Sequence, residues 1–161
     1  MSAETHLAKL RPMLPADVPV LAAIFQASIE ELTEDDYDGV QRNAWSAAAD
    51  DEAAFGAKLQ ENLTLVATLQ GAAVAFGSLE DNTKIDMLYV YPRVARQGIA
   101  TLLCEALEKL AAARGATFLT VDASDTARPL FEMRGYEAQR RQTVALGDCW
   151  LGNTRMQKSL T

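Results

Sequence analysis

The chain has 161 residues and a mass of 17.5 kDa, with 49% hydrophobic and 23% charged residues, proportions that describe one globular domain of ordinary size. Its net charge of −7 is unevenly shared: residues 1–80 carry 13 acidic against 4 basic side chains, and residues 81–161 carry 9 against 11. There is no run of about 18 apolar residues, and Lys9, Arg11 and Asp17 interrupt the start of the chain, so neither a membrane span nor a signal peptide is expected and a cytoplasmic location is. The acidic first half disfavours nucleic acid as a partner, because such binding rests on neutralising phosphates. Cys104 and Cys149 lie outside any C-x-x-C pattern, which argues against a disulfide framework or a thiolate metal site. The single histidine, His6, leaves a Ser-His-Asp triad or a histidine metal centre almost nothing to build on.

The first strand is predicted over Leu7 to Arg11. Asp17 is placed to cap a helix whose apolar residues Val20, Leu21, Ile24, Phe25 and Ile29 recur at helical spacing. Further helix is predicted over Ala44 to Ala49 and Glu52 to Gln60. Leu63 to Leu69 and Ala72 to Leu79 read as antiparallel strands about the turn Gln70-Gly71. After Asp81-Asn82 a third strand runs from Ile85 to Tyr91 and stops at Pro92. A strongly amphipathic helix follows, with Ile99, Leu102, Leu103, Ala106, Leu107 and Leu110 on its apolar face and Gly115 at its close. Thr117 to Val121 is the next strand, completing a β-α-β unit. Asp125 is expected to cap a short helix ending near Met133. A hairpin, Glu137 to Leu146 and Cys149 to Lys158, ends the chain. No repeat and no linker divides it, so residues 1–161 are expected to form a single domain of mixed α/β class with a largely antiparallel central sheet.

Chemistry points to the segment from Ile85 to Leu110. Its loop sets Arg93 and Arg96 beside Gly98, where the unpaired N–H groups and positive dipole end of the following helix are exposed, and this is an anion cradle. A missing side chain at Gly98 lets a phosphate approach the backbone. The alternative is a plain helix entry with solvated arginines. No G-x-x-x-x-G-K-[ST] or G-x-G-x-x-G pattern occurs, which argues against a nucleotide hydrolase or a Rossmann enzyme.

Val90-Tyr91-Pro92-Arg93-Val94-Ala95-Arg96-Gln97-Gly98-Ile99-Ala100 resembles the acetyl-CoA signature of the GCN5-related N-acetyltransferase (GNAT) family, V-x-P followed by Q/R-x-x-G-x-G/A and a helix. Ala127 to Tyr136, with its Gly135-Tyr136 pair, is similar to the family's coenzyme-contacting helix. The likeness covers essentially the whole chain and is nearest to small uncharacterised bacterial members. It implies the acyl-CoA N-acyltransferase fold with a splayed β-α-β cofactor site, acetyl-CoA as cofactor, and transfer of acetyl directly to an amine of a small molecule or peptide. It also implies that main-chain N–H groups from Arg96 through Gln97, Gly98 and Ile99 to Ala100 grip the pyrophosphate, with Thr101, Arg93 and Arg128 in support. Main-chain groups at Leu88, Tyr89 and Val90 would meet the pantetheine arm and polarise the thioester carbonyl.

The chain departs from the pattern at three places. Ala95 stands at the first Q/R position. Ser124 stands where an asparagine often contacts the pantetheine, and Phe131 replaces the tyrosine that many relatives use to protonate the leaving thiolate; phenylalanine has no proton to give. A non-catalytic acyl-CoA-binding or sensor domain is therefore the alternative. For the base, Asp86 and Tyr89 are the candidates, placed by period-two alternation on opposite faces unless a bulge reorients them. The acceptor is expected between the first helices and the final hairpin, where Glu30, Glu31, Glu34, Asp35 and Asp36 would attract an amine, with Tyr37, Trp45 and Trp150 holding it. A solvated acidic loop with packed tryptophans is the competing expectation. A homodimer through the hairpin edge is possible on this pattern, and no metal is called for.

Overall fold

The structure is a computed structural model that describes residues 8–161; His6 and Leu7, the expected start of the first strand, lie outside the described residues. Within them the sheet has seven strands, β1 (Lys9–Pro12), β2 (Leu63–Leu69), β3 (Ala72–Glu80), β4 (Lys84–Val90), β5 (Phe118–Ser124), β6 (Glu137–Leu146) and β7 (Cys149–Ser159), in the order β1-β2-β3-β4-β5-β7-β6. Every pairing is antiparallel except β4 with β5. The mixed α/β class with a largely antiparallel sheet is thus the architecture observed. The hairpin turns follow from local chemistry: Gln70 and Gly71 (φ 53 and 84) and Asp81 and Asn82 (φ 51 and 58) adopt the left-handed pairs that match strand twist.

Among the described residues five α-helices cover the two faces: α1 (Val18–Leu32), α2 (Gly39–Ser46), α3 (Glu52–Glu61), α4 (Ile99–Ala113) and α5 (Arg128–Met133). Alternation along the strands divides the core. Leu65, Ala67, Ala75, Ile85 and Val90 pack with Ile99, Leu103 and Leu107 of α4 on one face, and Val66 and Phe76 pack with Leu21, Phe25, Phe55 and Leu59 of α1 and α3 on the other.

Several local expectations are corrected. Helix α2 begins at Gly39 rather than Ala44, because Asp38 accepts from the Gln41 N–H at 2.8 Å while Gln41 Oε1 accepts from the Asp38 N–H at 3.0 Å, a capping box that sets the start. Asp17 precedes α1 without capping it; its carboxylate instead accepts from Leu14 N and from the Arg11 guanidinium, at 2.7 to 2.9 Å. Asp125 does not cap α5 either, since it is paired with Arg141 and the Ser124 hydroxyl accepts from Ala127 N at 3.0 Å. The buried stripe of α4 is rotated from the expected one and consists of Ile99, Leu103, Cys104, Leu107, Glu108 and Ala111.

The feature that positions the site is a divergence. β4 and β5 pair only at Lys84 with Thr120 and Ile85 with Val121, after which the strands splay and leave one edge of β4 without a β5 partner. On the other side of β4, the β3 register shifts between Ser78 and Leu79, so that Asp86 stands as the extra residue between Met87 and Ile85. Such a bulge re-aims the side chain it carries.

Candidate functional site

From β4 the chain passes through a turn of 3₁₀ helix, Pro92–Val94, into the loop that opens α4. Two residues of this loop are left-handed, Arg96 (φ 63) and Gly98 (φ 85, ψ 4). Successive N–H groups in such a bend form a concave nest for anions, here continued by the first turn of a helix. No main-chain acceptor among the described residues takes the N–H groups of residues 96–101. Neither Arg93 nor Arg96 forms an ion pair among the described residues. The cradle therefore presents donors and positive charge that the fold itself does not consume, which fits a pyrophosphate.

Between the splayed strands lies a cleft of about 350 Å³. Ile85 to Tyr89 of β4 form one wall, Val121 to Ser124 of β5 with Ala127 and Phe131 of the α5 region form another, and Val144, Leu146 and Leu151 to Asn153 of the hairpin close it beside Tyr37 and Trp45. Phe131 is 2% exposed and meets the Tyr136 ring edge-on at 5.2 Å. It contributes shape and dryness to the wall and no proton.

Asp86 borders this cleft. Its Oδ2 lies 3.5 Å from Lys58 Nζ and 3.5 Å from Asn62 Nδ2, while Oδ1 has no hydrogen-bond partner among the described residues. Lys58 and Asn62 sit at α3 and its end, the side on which Tyr89 packs. The bulge thus brings Asp86 and Tyr89 to the same side of the strand, in place of the opposite faces that strict alternation implies. Tyr89 rests in an aromatic cluster, with Phe25 at 4.7 Å, Phe76 at 5.8 Å and Trp45 at 6.4 Å between ring centroids. Burial pushes its phenol well above the ordinary tyrosine range.

At the point of splay Asp122 is surrounded: Arg155 Nε donates at 2.5 Å, Gln142 Nε2 at 2.8 Å, and Lys84 Nζ lies at 2.9 Å. Burial alone would raise this carboxyl, but the hydrogen bonds from Arg155, Lys84 and Gln142 outweigh it and hold it at about 2. Asp122 clamps β5 to β4, β6 and β7, so it fixes where the cleft opens.

Not every candidate is drawn in. Glu30 is exposed on α1 and does not border the cleft. Trp150 is 64% exposed, and only its carbonyl is held, by Gln41 Nε2 at 2.9 Å. Neither borders the cleft, and neither does the acidic run: Glu31, Glu34 and Asp35 face solvent, and Asp36 accepts from Thr126 Oγ1 at 2.7 Å. Tyr37 and Trp45 do border the cleft. Tyr37 is also a strut, its hydroxyl donating to Gly152 O at 2.6 Å and accepting from Asp125 N at 2.9 Å. Arg128 lies against Glu132 at 3.6 Å and Thr154 Oγ1 at 3.4 Å.

Other polar residues of the site and its supports went unrecognised in the sequence. Lys58, Lys84, Asp122 and Asn153 border the cleft from four separate elements, and no local spacing connects them. Glu108 lies off the apolar face expected from the sequence and on the rotated buried stripe of α4, so its position gave no local signal. It is buried and accepts from Arg134 Nη2 at 2.5 Å, Tyr136 OH at 2.9 Å and Lys158 Nζ at 3.0 Å, joining α4 to the end of α5 and to β7. Its neighbour Cys104 is fully buried, and burial, reinforced by Glu108, pushes the thiol up to about 12; it is no nucleophile.

Comparison with known proteins agrees with this geometry. The model of the acetyltransferase (GNAT) domain family matches residues 32–160. An uncharacterized N-acetyltransferase of Escherichia coli K12, YafP, is 34% identical over 149 residues, which cover 92% of this chain and 94% of that protein. A crystal structure of a GCN5-related N-acetyltransferase from Rhodopseudomonas palustris, also named an aminotransferase of class II, is 57% identical with a TM-score of 0.93 and 94% of each chain covered. The PaiA N-acetyltransferase of Thermoplasma acidophilum, solved in complex with coenzyme A, shares the fold at 15% identity and a TM-score of 0.77, over 94% of this chain and 98% of that one. Splayed β4 and β5, an anion cradle opening α4, and a family match across most of the length converge: the chain belongs to the GCN5-related N-acetyltransferase family.

Proposed function

We propose that this chain is an acetyl-CoA-dependent N-acetyltransferase acting on the amine of a small molecule or peptide. The observation that carries the reading is the continuity of the cleft with the cradle: the strand whose free edge lines the cleft runs directly into the loop whose N–H groups have no internal acceptor. Acetyl-CoA is the donor, and it supplies an activated thioester: the amine nitrogen bonds the acetyl carbon, the carbon–sulfur bond breaks, and an N-acetyl amine and coenzyme A leave.

The chain's own residues supply position and proton traffic. The N–H groups of residues 96–101 hold the pyrophosphate, with Arg93 and Arg96 adding charge. Main-chain groups of Leu88 to Val90, on the edge that β5 leaves free, align the pantetheine arm and stabilise negative charge at the carbonyl oxygen. Asp86, with one oxygen unpartnered among the described residues, receives the amine proton. Tyr89, the other candidate base, keeps its proton because burial raises its phenol, which leaves Asp86 as the base. Phe131 donates nothing, so a departing thiolate leaves as such or takes its proton from water.

Phe131 is also the observation that favours the second reading, a domain that binds acyl-CoA without turnover. A thermal melt with acetyl-CoA, using ATP and NAD as controls, tests the shared premise. Ligand at about 100 times its dissociation constant adds roughly 2.7 kcal/mol, on the order of 5–10 °C here. No shift refutes both readings. A shift followed by amine-dependent thiol release supports the transferase, and a shift without release on any amine supports the binding domain.

A further inference from the structure

We propose that the acceptor is a primary amine with a single positive charge on an apolar or aromatic body, selected by Asp86 of β4 and Asn153 of β7. The proposal rests on the transferase reading and narrows its substrate class.

Charge is the first argument. Four charged residues border the cleft, Lys58, Lys84, Asp86 and Asp122, and their formal charges cancel. Asp122 is consumed by Arg155, Lys84 and Gln142, so Asp86 is the one bordering carboxylate with an oxygen to offer. A second ammonium on the same acceptor would meet Lys58 and Lys84 and no carboxylate, because the acidic run from Glu30 to Asp36 lies outside the lining. A polyamine or lysine-rich peptide therefore finds no complementary charge.

Hydrogen bonding is the second. Asn153 borders the cleft, and its Oδ1 is buried without a hydrogen-bond partner among the described residues. A buried acceptor left unpaired in the free protein is a place for a ligand's N–H. An amine nitrogen offers more than one N–H, and Asp86 Oδ1 and Asn153 Oδ1 are acceptors on different walls of the same cleft. Apolar and aromatic side chains share the lining with these polar groups, Trp45, Met87, Tyr89, Val144 and Leu151 among them, and they give the body of the acceptor an apolar surface to lie on. At about 350 Å³ the space is at the small end of ligand sites, and the thioester arm must share it.

The test follows initial rates of coenzyme A thiol release by the full chain at saturating acetyl-CoA, with 2-phenylethylamine, spermidine and a lysine-containing tripeptide as acceptors. The expected result is a kcat/KM for 2-phenylethylamine at least about tenfold above the other two. Asn153→Ala is expected to raise its KM by about three- to tenfold, the loss of one hydrogen bond, with kcat little changed, and Asn153→Asp, which keeps an acceptor oxygen, to restore it. Lys58→Glu, on a side chain that is 51% exposed, is expected to shift preference toward spermidine. Equal or better turnover of spermidine or the peptide by the unmodified chain overturns the proposal, as does an unchanged KM in Asn153→Ala. Calorimetry with acetyl-CoA alone separates the failures: binding with a polyamine preference sinks only this inference, and no binding sinks the transferase reading with it.

Discussion

Replacing Glu108 with glutamine should destabilise the fold more than any other single charge removal in α4. The side chain is 8% exposed, and Arg134 Nη2 at 2.5 Å and Lys158 Nζ at 3.0 Å both point at one of its oxygens, each from a side chain 23% exposed. Removing one member of a buried ion pair costs about 3–5 kcal/mol, and because water reaches part of both cations the low end, about 3 kcal/mol, applies. In a domain of this length that lowers Tm by roughly 6–12 °C. The effect must depend on pH. Burial alone would raise the Glu108 carboxyl, but hydrogen bonds from Lys158, Arg134, Tyr136 and Cys104 outweigh it, and the folded value lies below the ordinary one. A carboxyl depressed on folding contributes fully above its unfolded value, about 4.3, and loses that contribution as pH falls through the folded value. Circular dichroism melts of both proteins from about pH 7 to about pH 3 read this directly, with Glu105→Gln, an exposed residue of the same helix, as the control that leaves the melt unmoved. A loss below about 1 kcal/mol at neutral pH, or a gap that stays constant into acid, would refute the reasoning.

Gly98→Val should weaken acetyl-CoA binding at least about tenfold by calorimetry, while the left-handed strain at φ 85 lowers stability by only about 1–2 kcal/mol; unchanged affinity in a folded variant would remove the loop from the account. Gly56→Ala should destabilise despite better helix propensity, since the new Cβ would lie 2.8 and 2.9 Å from the two Val18 methyls. Overpacking of about 1–3 kcal/mol exceeds the roughly 1 kcal/mol gained from alanine, and a higher urea midpoint would contradict it. Titration with a disulfide reagent should find Cys149 alone reactive in the native chain and Cys104 only after unfolding, given a thiol that is fully buried and raised to about 12. Rapid modification of both would overturn that burial.

The elements legible in the sequence are those written in local chemistry. The turns at Gln70-Gly71 and Asp81-Asn82, the β-branched run Leu63–Leu69 and the amphipathic period that makes α4 a helix each carry their own signal, and the loop from Arg93 to Ala100 could be read as an anion cradle for the same reason. Misreadings came where a side chain had a more distant partner than the rule assumed. Asp17 and Asp125 look like helix caps by position, yet each is claimed by an arginine, Arg11 and Arg141. Glu30 and Trp150 look like acceptor contacts by composition, yet nothing along the chain indicates which way an exposed helix or hairpin tip faces.

By itself, then, the sequence determined the order of strands and helices, the class of the fold and the left-handed loop that opens α4, because backbone propensity, turn conformation and helix-end electrostatics act over a few residues. Only the tertiary structure decided which polar residues line the cleft. Asp86 reaches the face of Tyr89 through a bulge set by pairing with β3, Lys58 arrives from α3 and Asn153 from β7, and Asp122 is held by Lys84, Gln142 and Arg155 from three strands. A cleft opened by two diverging strands is lined by residues far apart along the chain, and their charges meet only once the sheet has formed.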